Sequence, residues 1–371
     1  MSQSESTTTV RAAVLSTAPG ELTIEELTLD LQLEPHEVRV RVHACGLCHS
    51  DLHMLTGSLP TPMPTVPGHE VAGVVEAVGS SVVDLPVGSH VVACLSMFCG
   101  ECDFCRAGQS WLCVHRMDLG RDGRPRPRMT RASGEEVGQV AGLGGLTEQM
   151  VVHRNAVVAV PEALPFDRAA LLGCAVLTGI GSAIQGASVR PGETVAVIGT
   201  GGVGLNVIQG ARLAGASRIV AIDVNAEKLE LARSFGATDV VDAGDDPVAA
   251  VKALLGGVDH AFDVVGVSAT AVQAVQMVQQ GRTAWLVGVP PVGEELRMPG
   301  VHLLTQAKGI KGLLMGSNRF QHDIPMLADL YLQGRIKLDE LVSRRLPLDE
   351  VNDGFDLMRK GSAARAVVCL D

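Results

Sequence analysis

Three groups of residues in this chain have the types and spacing needed for chemistry. The most compact is Cys99-Gly-Glu-Cys102-Asp-Phe-Cys105, continued by Arg-Ala-Gly-Gln-Ser-Trp-Leu to Cys113, a C-x2-C-x2-C-x7-C loop. Four thiolates so spaced can wrap a tetrahedral Zn2+ and leave no position for water, which describes a closed, structural site. A redox pair or disulfides would use the same residues. A disulfide framework fits badly, because a chain of 371 residues can build its core without staples and this one opens without a secretory signal. Such a knot explains stability but no activity.

The second group is Gly199-Thr-Gly201-Gly202-Val203-Gly204, a G-x-G-x-x-G turn. Glycine-rich turns are common, so context decides. This one follows an apolar run, Thr194-Val-Ala-Val-Ile, opens a helical segment, and is followed by Arg218-Ile-Val-Ala-Ile-Asp223. That context is the dinucleotide fingerprint. The glycines let the backbone approach a pyrophosphate, which sits where free N–H groups and the helix dipole favour an anion. Asp223 would accept hydrogen bonds from the adenosine ribose hydroxyls and repel a 2′-phosphate, which selects NAD over NADP.

The third group is dispersed: Cys48, His69 and Cys174. Two thiolates and an imidazole leave one coordination position open, as a catalytic zinc requires. Each residue alone would pass for a buried Cys or a capping His, and spacing does not prove that they converge. Asp51 and Glu70 stand next to them in sequence, as carboxylates that fix a His tautomer or tune a metal should.

These groups need elements to hold them. From Val10 to about Ala44 the pattern alternates, as in Glu37-Val-Arg-Val-Arg-Val-His43, and predicts half-buried antiparallel strands. Val71 to Val78 and the run after Leu85 read as further strands, so the first part is expected to be a small distorted β-barrel that carries the four-thiol loop. Around Pro165 the texture changes to a helix from Phe166, continued by Thr178 to Ala187. From Glu193 apolar strands alternate with helical segments, the mark of a parallel sheet. Phe262-Asp-Val-Val and Thr283 to Gly288 read as strands of it. A helix from Ile324 to Gln333 and a last strand, Ala364 to Leu370, close the chain.

Composition narrows the function. The apolar fraction is 46% with 42 glycines, which suits a compact α/β protein. A formal net charge of −11 argues against a nucleic-acid partner. No apolar run reaches the ~18 residues that span a bilayer, and Met1 to Thr9 reads as a frayed tail. Nine cysteines point to the reducing cytosol, with Cys45, Cys94 and Cys369 as small buried hydrophobes. One basic stretch, Arg121 to Arg131 with interleaved prolines, is expected as an exposed loop, either plainly solvated or a contact for an anionic substrate or a partner subunit.

Cys48-His-Ser-Asp-Leu-His53, Gly68-His69-Glu70, the four-thiol loop, Gly173-Cys174 with Thr178-Gly179, Gly199 to Gly204 and Val287-Gly-Val-Pro-Pro291 occur in an order that resembles the zinc-dependent, medium-chain alcohol dehydrogenases. The resemblance implies a mixed α/β fold. A GroES-like, β-rich catalytic domain (residues 1–177 and 317–371) would be interrupted by a Rossmann domain with a doubly wound parallel sheet (178–316). It makes Cys48, His69 and Cys174 the catalytic zinc ligands and Cys99, Cys102, Cys105 and Cys113 the structural ones, two zinc ions per chain. Ser50 would contact the alcohol, His53 would pass its proton to solvent, Asp51 would orient His69, and Glu70 would sit behind the metal. His49 would lie at the cofactor pyrophosphate, where many relatives carry Arg, with Arg365 beside it. Thr178, Val203 and Val287 would pack around the nicotinamide of NAD, and Lys228 near the adenosine. Leu95, Trp111, Leu112, Val289 and Met315 are candidate walls of the substrate pocket.

The activity implied is hydride transfer between NAD and a primary or small apolar alcohol. The alternative is a formaldehyde dehydrogenase that oxidises an adduct with mycothiol or glutathione, which Gly173-Cys174, Pro325 to Gly334 and the basic stretch would suit. A non-catalytic NAD-binding relative is the reading from a different class. The expected partners are a small alcohol or aldehyde and a second copy of the chain. The segment Met117 to Gln139 goes with dimers in the family, a tetramer being the other arrangement.

Overall fold

A computed structural model of the chain describes residues 6–121, 124–298, 300–361 and 365–370. It divides into two compact units, Met1–Cys174 with Arg319–Asp371, and Ala175–Asn318.

Alternating Val, Ala and Leu make the first unit a β structure. One sheet runs, in spatial order, Thr7–Val14, Thr23–Asp30, Met129–Thr130, Glu136–Gln139 and Thr65–Val66. The other runs Val157–Ala159, His90–Ala93, Glu70–Val78, Glu37–Gly46, Arg365–Cys369 and Val342–Leu346, with Gln149–His153 paired to Glu37–Gly46. Their inner faces share one apolar core that includes Leu15, Leu27, Val40, Val71, Leu143 and Phe355. This is the β-rich half of the mixed α/β fold expected from the sequence.

The second unit holds a six-stranded parallel sheet in the order Asp239–Asp242, Arg218–Asp223, Thr194–Ile198, Val258–Asp263, Val278–Leu286, Gly309–Gly312. Numbered along the chain, the order is 3-2-1-4-5-6, which reverses beside the first strand and leaves a crevice at the carboxyl ends there. The glycine-rich turn follows that first strand. Strands buried on both faces need continuous apolar runs, and Val195, Val197, Val220, Ile222 and Ala261 supply them.

Five expectations change. Thr7 to Thr9 are no frayed tail but the start of a strand paired to Asp30, Leu29 and Thr28, a role that β-branched threonines suit; Met1 to Glu5 lie outside the described residues. The helix expected from Ile324 begins at Phe320 and keeps Pro325 inside it. Its start is fixed by Asp323, whose carboxylate accepts from the Arg319 N–H at 2.6 Å, and by the fully buried Phe320 against Phe98. The helical run Phe166–Gly186 is long and apolar enough to cross a membrane, yet 83% of its apolar 18-residue window is buried inside the folded chain, as befits a core helix. The last strand is Arg365–Cys369, and Ala364 lies outside the described residues.

The fifth change is the basic stretch. Arg121 and Arg128 are only 4% and 3% exposed, and Met129–Thr130 joins a sheet. Asp122 and Gly123 lie outside the described residues. Two carboxylates draw the arginines in. Arg121 donates to Glu37 at 2.7 Å, to Asp30 at 2.9 Å and to the Gln32 carbonyl at 2.9 Å. Arg128 donates to Glu37 at 2.5 Å, and Arg126 reaches Asp30 at 2.8 Å. Burial alone would raise the Glu37 carboxyl, but Arg121, the Glu34 N–H and Arg128 outweigh it and hold it below the ordinary range.

A folded value below the unfolded one means stability that is present at neutral pH and lost as pH falls through the folded value. Glu37→Gln should therefore destabilise the chain at pH 7 by about 3–5 kcal/mol, the cost of stranding one side of a buried ion pair. In urea unfolding at a series of pH values, the gap between variant and parent should close on acidification. A gap that is independent of pH would refute the ionic account.

Candidate active site

Antiparallel pairing assembles the site in the first unit. Strand Glu37–Gly46 runs against Glu70–Val78 with Gly46 opposite Glu70 and Cys45 opposite Val71. The end of one strand therefore meets the start of the other, and Cys48, just past the first, lies near His69, just before the second. Between them a short helix, His49–Leu55, begins at Cys48. Gly68 makes the approach possible. Its φ of +97° is one that side chains disfavour, and a Cβ there would lie 2.7 Å from the Leu146 nitrogen and 2.8 Å from Cys45 Sγ. Cys174 arrives from the helix that starts at Phe166, in a π-type turn Leu172–Val176. Such turns are frequent at functional sites. The neighbouring Gly173 allows contact, since a Cβ on it would collide with the Ala93 carbonyl oxygen.

Cys48, His69, Glu70 and Cys174 thus present donor atoms that all lie within 4.8 Å of one another, all buried. Asp51 organises them. Its carboxylate accepts from the Cys48 N–H, the Gly68 N–H and His69 Nδ1, each at 3.2 Å. With Nδ1–H directed at Asp51, Nε2 carries the lone pair, and that buried nitrogen has no hydrogen-bond partner. Two thiols and an orphaned imidazole nitrogen are the donor set that zinc prefers, so the residues fit the metal.

The electrostatics agree. Hydrogen bonding from Cys174, against the pull of burial, holds the Cys48 thiol well below its ordinary value, with help from His69. Burial would depress the His69 imidazole, yet Asp51 and Cys48 carry it well above its ordinary value, so the cluster draws positive charge to Nε2, where a proton and a metal ion compete for the same lone pair. Burial raises the Glu70 carboxyl to about 8, opposed by Arg365.

The four-thiol loop forms a second cluster. Cys99, Cys102, Cys105 and Cys113 hold their sulfurs within 4.8 Å of one another. Backbone N–H groups of Glu101 and Cys102 point at Cys99 Sγ at 3.4 and 3.3 Å, and that of Cys99 at Cys113 Sγ at 3.2 Å. N–H groups aimed at sulfur favour thiolates, which is the metal-binding form. All nine cysteines are free of disulfides.

In the second unit the three outer glycines of the turn divide the work. Gly199 has φ +92°, Gly201 faces open space with nothing within 4 Å of where a Cβ would stand, and a Cβ on Gly204 would collide with the Gly199 carbonyl. The helix Gly202–Leu213 begins at the turn. Gly202 is buried and Val203 is half-buried in its first turn. Asp223, at its strand's end, accepts from Thr200 N at 2.8 Å and Thr200 Oγ1 at 2.9 Å. These residues fit a dinucleotide. Lys228 lies half-buried in the first turn of the next helix, Ala226–Phe235, which Asn225 caps, and Val287 follows strand Val278–Leu286. Thr178 is buried, with its hydroxyl 3.5 Å from Met315 Sδ.

The remaining candidate residues lie in varied surroundings. Arg365, assigned to the pyrophosphate, is buried against Glu70, with Nη2 at 3.5 Å from its carboxylate and Nη1 donating to the Leu47 carbonyl at 3.2 Å. A lone buried carboxylate needs a cation, which is why the guanidinium turns inward. Cys45 and Cys94 are buried thiols, but Cys369 is half-exposed. His49 is exposed, and Ser50 and His53 are half-buried on the short helix. Leu95, Trp111 and Leu112 belong to the first unit and Val289 and Met315 to the second. Sequence reasoning missed Gly46, although a lone glycine ending a strand pattern signals a close approach.

Comparison with known proteins places this geometry. The family model described as alcohol dehydrogenase GroES-like domain matches residues 34–162, and that described as zinc-binding dehydrogenase matches residues 202–332. The chain is 37% identical to S-(hydroxymethyl)glutathione dehydrogenase of Saccharomyces cerevisiae, over 97% of this chain and 96% of that protein. An alcohol dehydrogenase zinc-binding domain protein from Burkholderia ambifaria superposes with a TM-score of 0.93 at 33% identity, covering 98% of this chain and 100% of that one. Benzyl alcohol dehydrogenase from Acinetobacter calcoaceticus does so with 0.91 at 31% identity, covering 98% and 100%.

The two cysteine clusters should answer differently to mutation. Cys102→Ser is expected to lower soluble yield and thermal stability, because a closed thiolate site contributes directly to folding. Cys174→Ser is expected to leave a folded protein that holds one zinc fewer and has lost activity. Metal analysis and thermal melts of both variants test this, and identical behaviour would count against separate roles.

Proposed function

The chain belongs to the zinc-dependent, medium-chain alcohol dehydrogenase family, and from that premise we propose that it transfers a hydride between NAD and a primary or small apolar alcohol, giving the aldehyde or ketone. The observation that carries this reading is the convergence of Cys48, His69 and Cys174 around a buried His69 Nε2 that has no partner of the protein's own. Zinc held there would supply a Lewis acid that makes an alcohol acidic near neutral pH, and NAD held at the glycine-rich turn would supply the hydride acceptor. The protein's part is position, charge and proton handling. Asp51 fixes the tautomer of His69. Ser50 and His53 are three residues apart on one helix and so share a face. Ser50 can accept the alcohol's proton while donating its own, and His53 carries it outward. Asp223 selects NAD by binding ribose hydroxyls and repelling a 2′-phosphate. Nine unbridged cysteines suit a reducing compartment, the cytosol. The segment Met117 to Gln139 supports a homodimer, with a tetramer as the other arrangement.

The likeness to S-(hydroxymethyl)glutathione dehydrogenase favours a second reading, oxidation of a thiol adduct of formaldehyde. An adduct with a carboxylate-bearing thiol calls for unengaged cations. Arg121 and Arg128 are engaged by Asp30 and Glu37, so the basic stretch lends that reading no support. Steady-state turnover of a primary-alcohol series, and of formaldehyde with and without glutathione or mycothiol, separates the two. Alcohols should turn over without thiol, and oxidation seen only with thiol and formaldehyde would overturn the first reading.

The proton path has its own test. His53→Gln is expected to lower alcohol oxidation by roughly tenfold or more near pH 7, at the low end of acid–base assistance. The loss should be largest at low pH, where solvent base is scarce, and added imidazole should restore part of the rate. Superimposable pH profiles of variant and parent would refute the path.

A further inference from the structure

We propose that Gly46 is a positioning residue: by carrying no side chain it leaves the space in which the Glu70 carboxylate rests, and so keeps that carboxylate out of the open position among Cys48, His69 and Cys174. The inference rests on the reading of those three residues as a zinc site.

Gly46 and Glu70 are direct partners across antiparallel strands, so their side-chain positions face the same way. A Cβ built on Gly46 would collide with Glu70 Oε2, and would stand 3.0 Å from Glu70 Cβ and 3.2 Å from Leu171 Cδ2. Gly46 does not have the positive φ of Gly68. Space, not conformation, is what asks for glycine here. A glycine in a strand otherwise weakens it, and commonly marks such a close approach.

Glu70 needs the space because its alternatives are poor. It is fully buried, neither carboxylate oxygen has a hydrogen-bond partner, and Arg365 stands 3.5 Å away. One of its oxygens already lies within 4.8 Å of the two thiols and the imidazole. Carboxylates are competent zinc ligands, so a modest displacement would let Glu70 fill the position that substrate needs. Leu171 closes off another side of the added methyl group. The carboxylate must then move, and the donor atoms of Cys48, His69 and Cys174 lie within 4.8 Å of it.

The test uses the full chain with cobalt(II) in place of zinc at the three-ligand site, whose visible absorption reports coordination apart from turnover. Gly46→Ala should change that spectrum and lower kcat/KM on the order of a hundredfold. The double variant Gly46→Ala/Glu70→Asp, with a side chain shorter by one methylene, should return the spectrum toward the parent's and recover at least tenfold in kcat/KM. Gly46→Ala/Leu171→Ala should do neither. A parent-like spectrum in Gly46→Ala overturns the proposal, as does rescue by Leu171→Ala in place of Glu70→Asp, which would make Gly46 a matter of packing alone. If Gly46→Ala does not fold, soluble Gly46→Ala/Glu70→Asp with a parent-like spectrum supports the proposal, and its failure to fold counts against it. A parent protein that takes up no cobalt at Cys48, His69 and Cys174 would instead refute the zinc reading itself.

Discussion

The site depends on one backbone constraint, the antiparallel register between Glu37–Gly46 and Glu70–Val78. A slip by one residue would turn every side chain of a strand to the other face. It would also separate Cys48 from His69, since each stands just beyond its strand at the shared end. The return strand Arg365–Cys369 adds to the same edge, with Val367 opposite Gly46 and Leu47 donating to the Ala366 carbonyl at 2.9 Å. This brings Arg365 to Glu70 from the far end of the sequence. The apolar faces fix the register. Val38, Val40 and Val42 alternate inward against Val71 and Val75, and a large core rewards only that alignment.

Having fixed these groups, the fold leaves them in an expensive state. Asp51, Glu70, His69, Arg365 and two thiols are buried together in one cluster. Ionised groups away from water are tolerated only when paired. Asp51 has three donors, but the imidazole nitrogen and both Glu70 oxygens lack hydrogen-bond partners, and Arg365 stands 3.5 Å from one of those oxygens. The thiols are split, Cys48 shifted down and Cys174 up, as two like groups that cannot both ionise without a cation between them. A divalent ion would complete the set by allowing both thiolates and satisfying the imidazole at once. The polarity of the pocket therefore argues for the metal independently of any likeness to other proteins.

How much of this was legible in the sequence follows from the range of each signal. The glycine-rich turn, its strand and Asp223 were readable because they lie close together and their spacing encodes their geometry. The four-thiol loop is legible for the same reason. The parallel sheet showed as apolar runs, while the helix at Phe320 was hidden by Pro325, which local rules read as a start and the buried Phe320 overrides. The convergence of Cys48, His69 and Cys174 could not be read from spacing, since it depends on strand register and on a helix distant in sequence. Arg365 illustrates the limit. Residue type marks it as an anion binder, but only the fold shows that the nearest anion is Glu70.

The arginine stretch carries the same lesson into substrate chemistry. In a chain with a formal net charge of −11, a run of arginines looks like a deliberate cationic surface. Taken with Asp30, Glu34 and Glu37 it is close to neutral, and its buried members face inward. Arg131 is likewise held by Glu25 and Glu135, each at 2.8 Å. A guanidinium bonded to two carboxylates has little capacity left for a third anion. What these arginines do is pin the segment around Met129–Thr130 against strand Thr23–Asp30 by charge-assisted bonds, where the apolar content of the segment is too low to hold it. Charge that is neutralised inside the fold attracts nothing from solution. The engaged arginines of this stretch therefore give no sign of an anionic substrate.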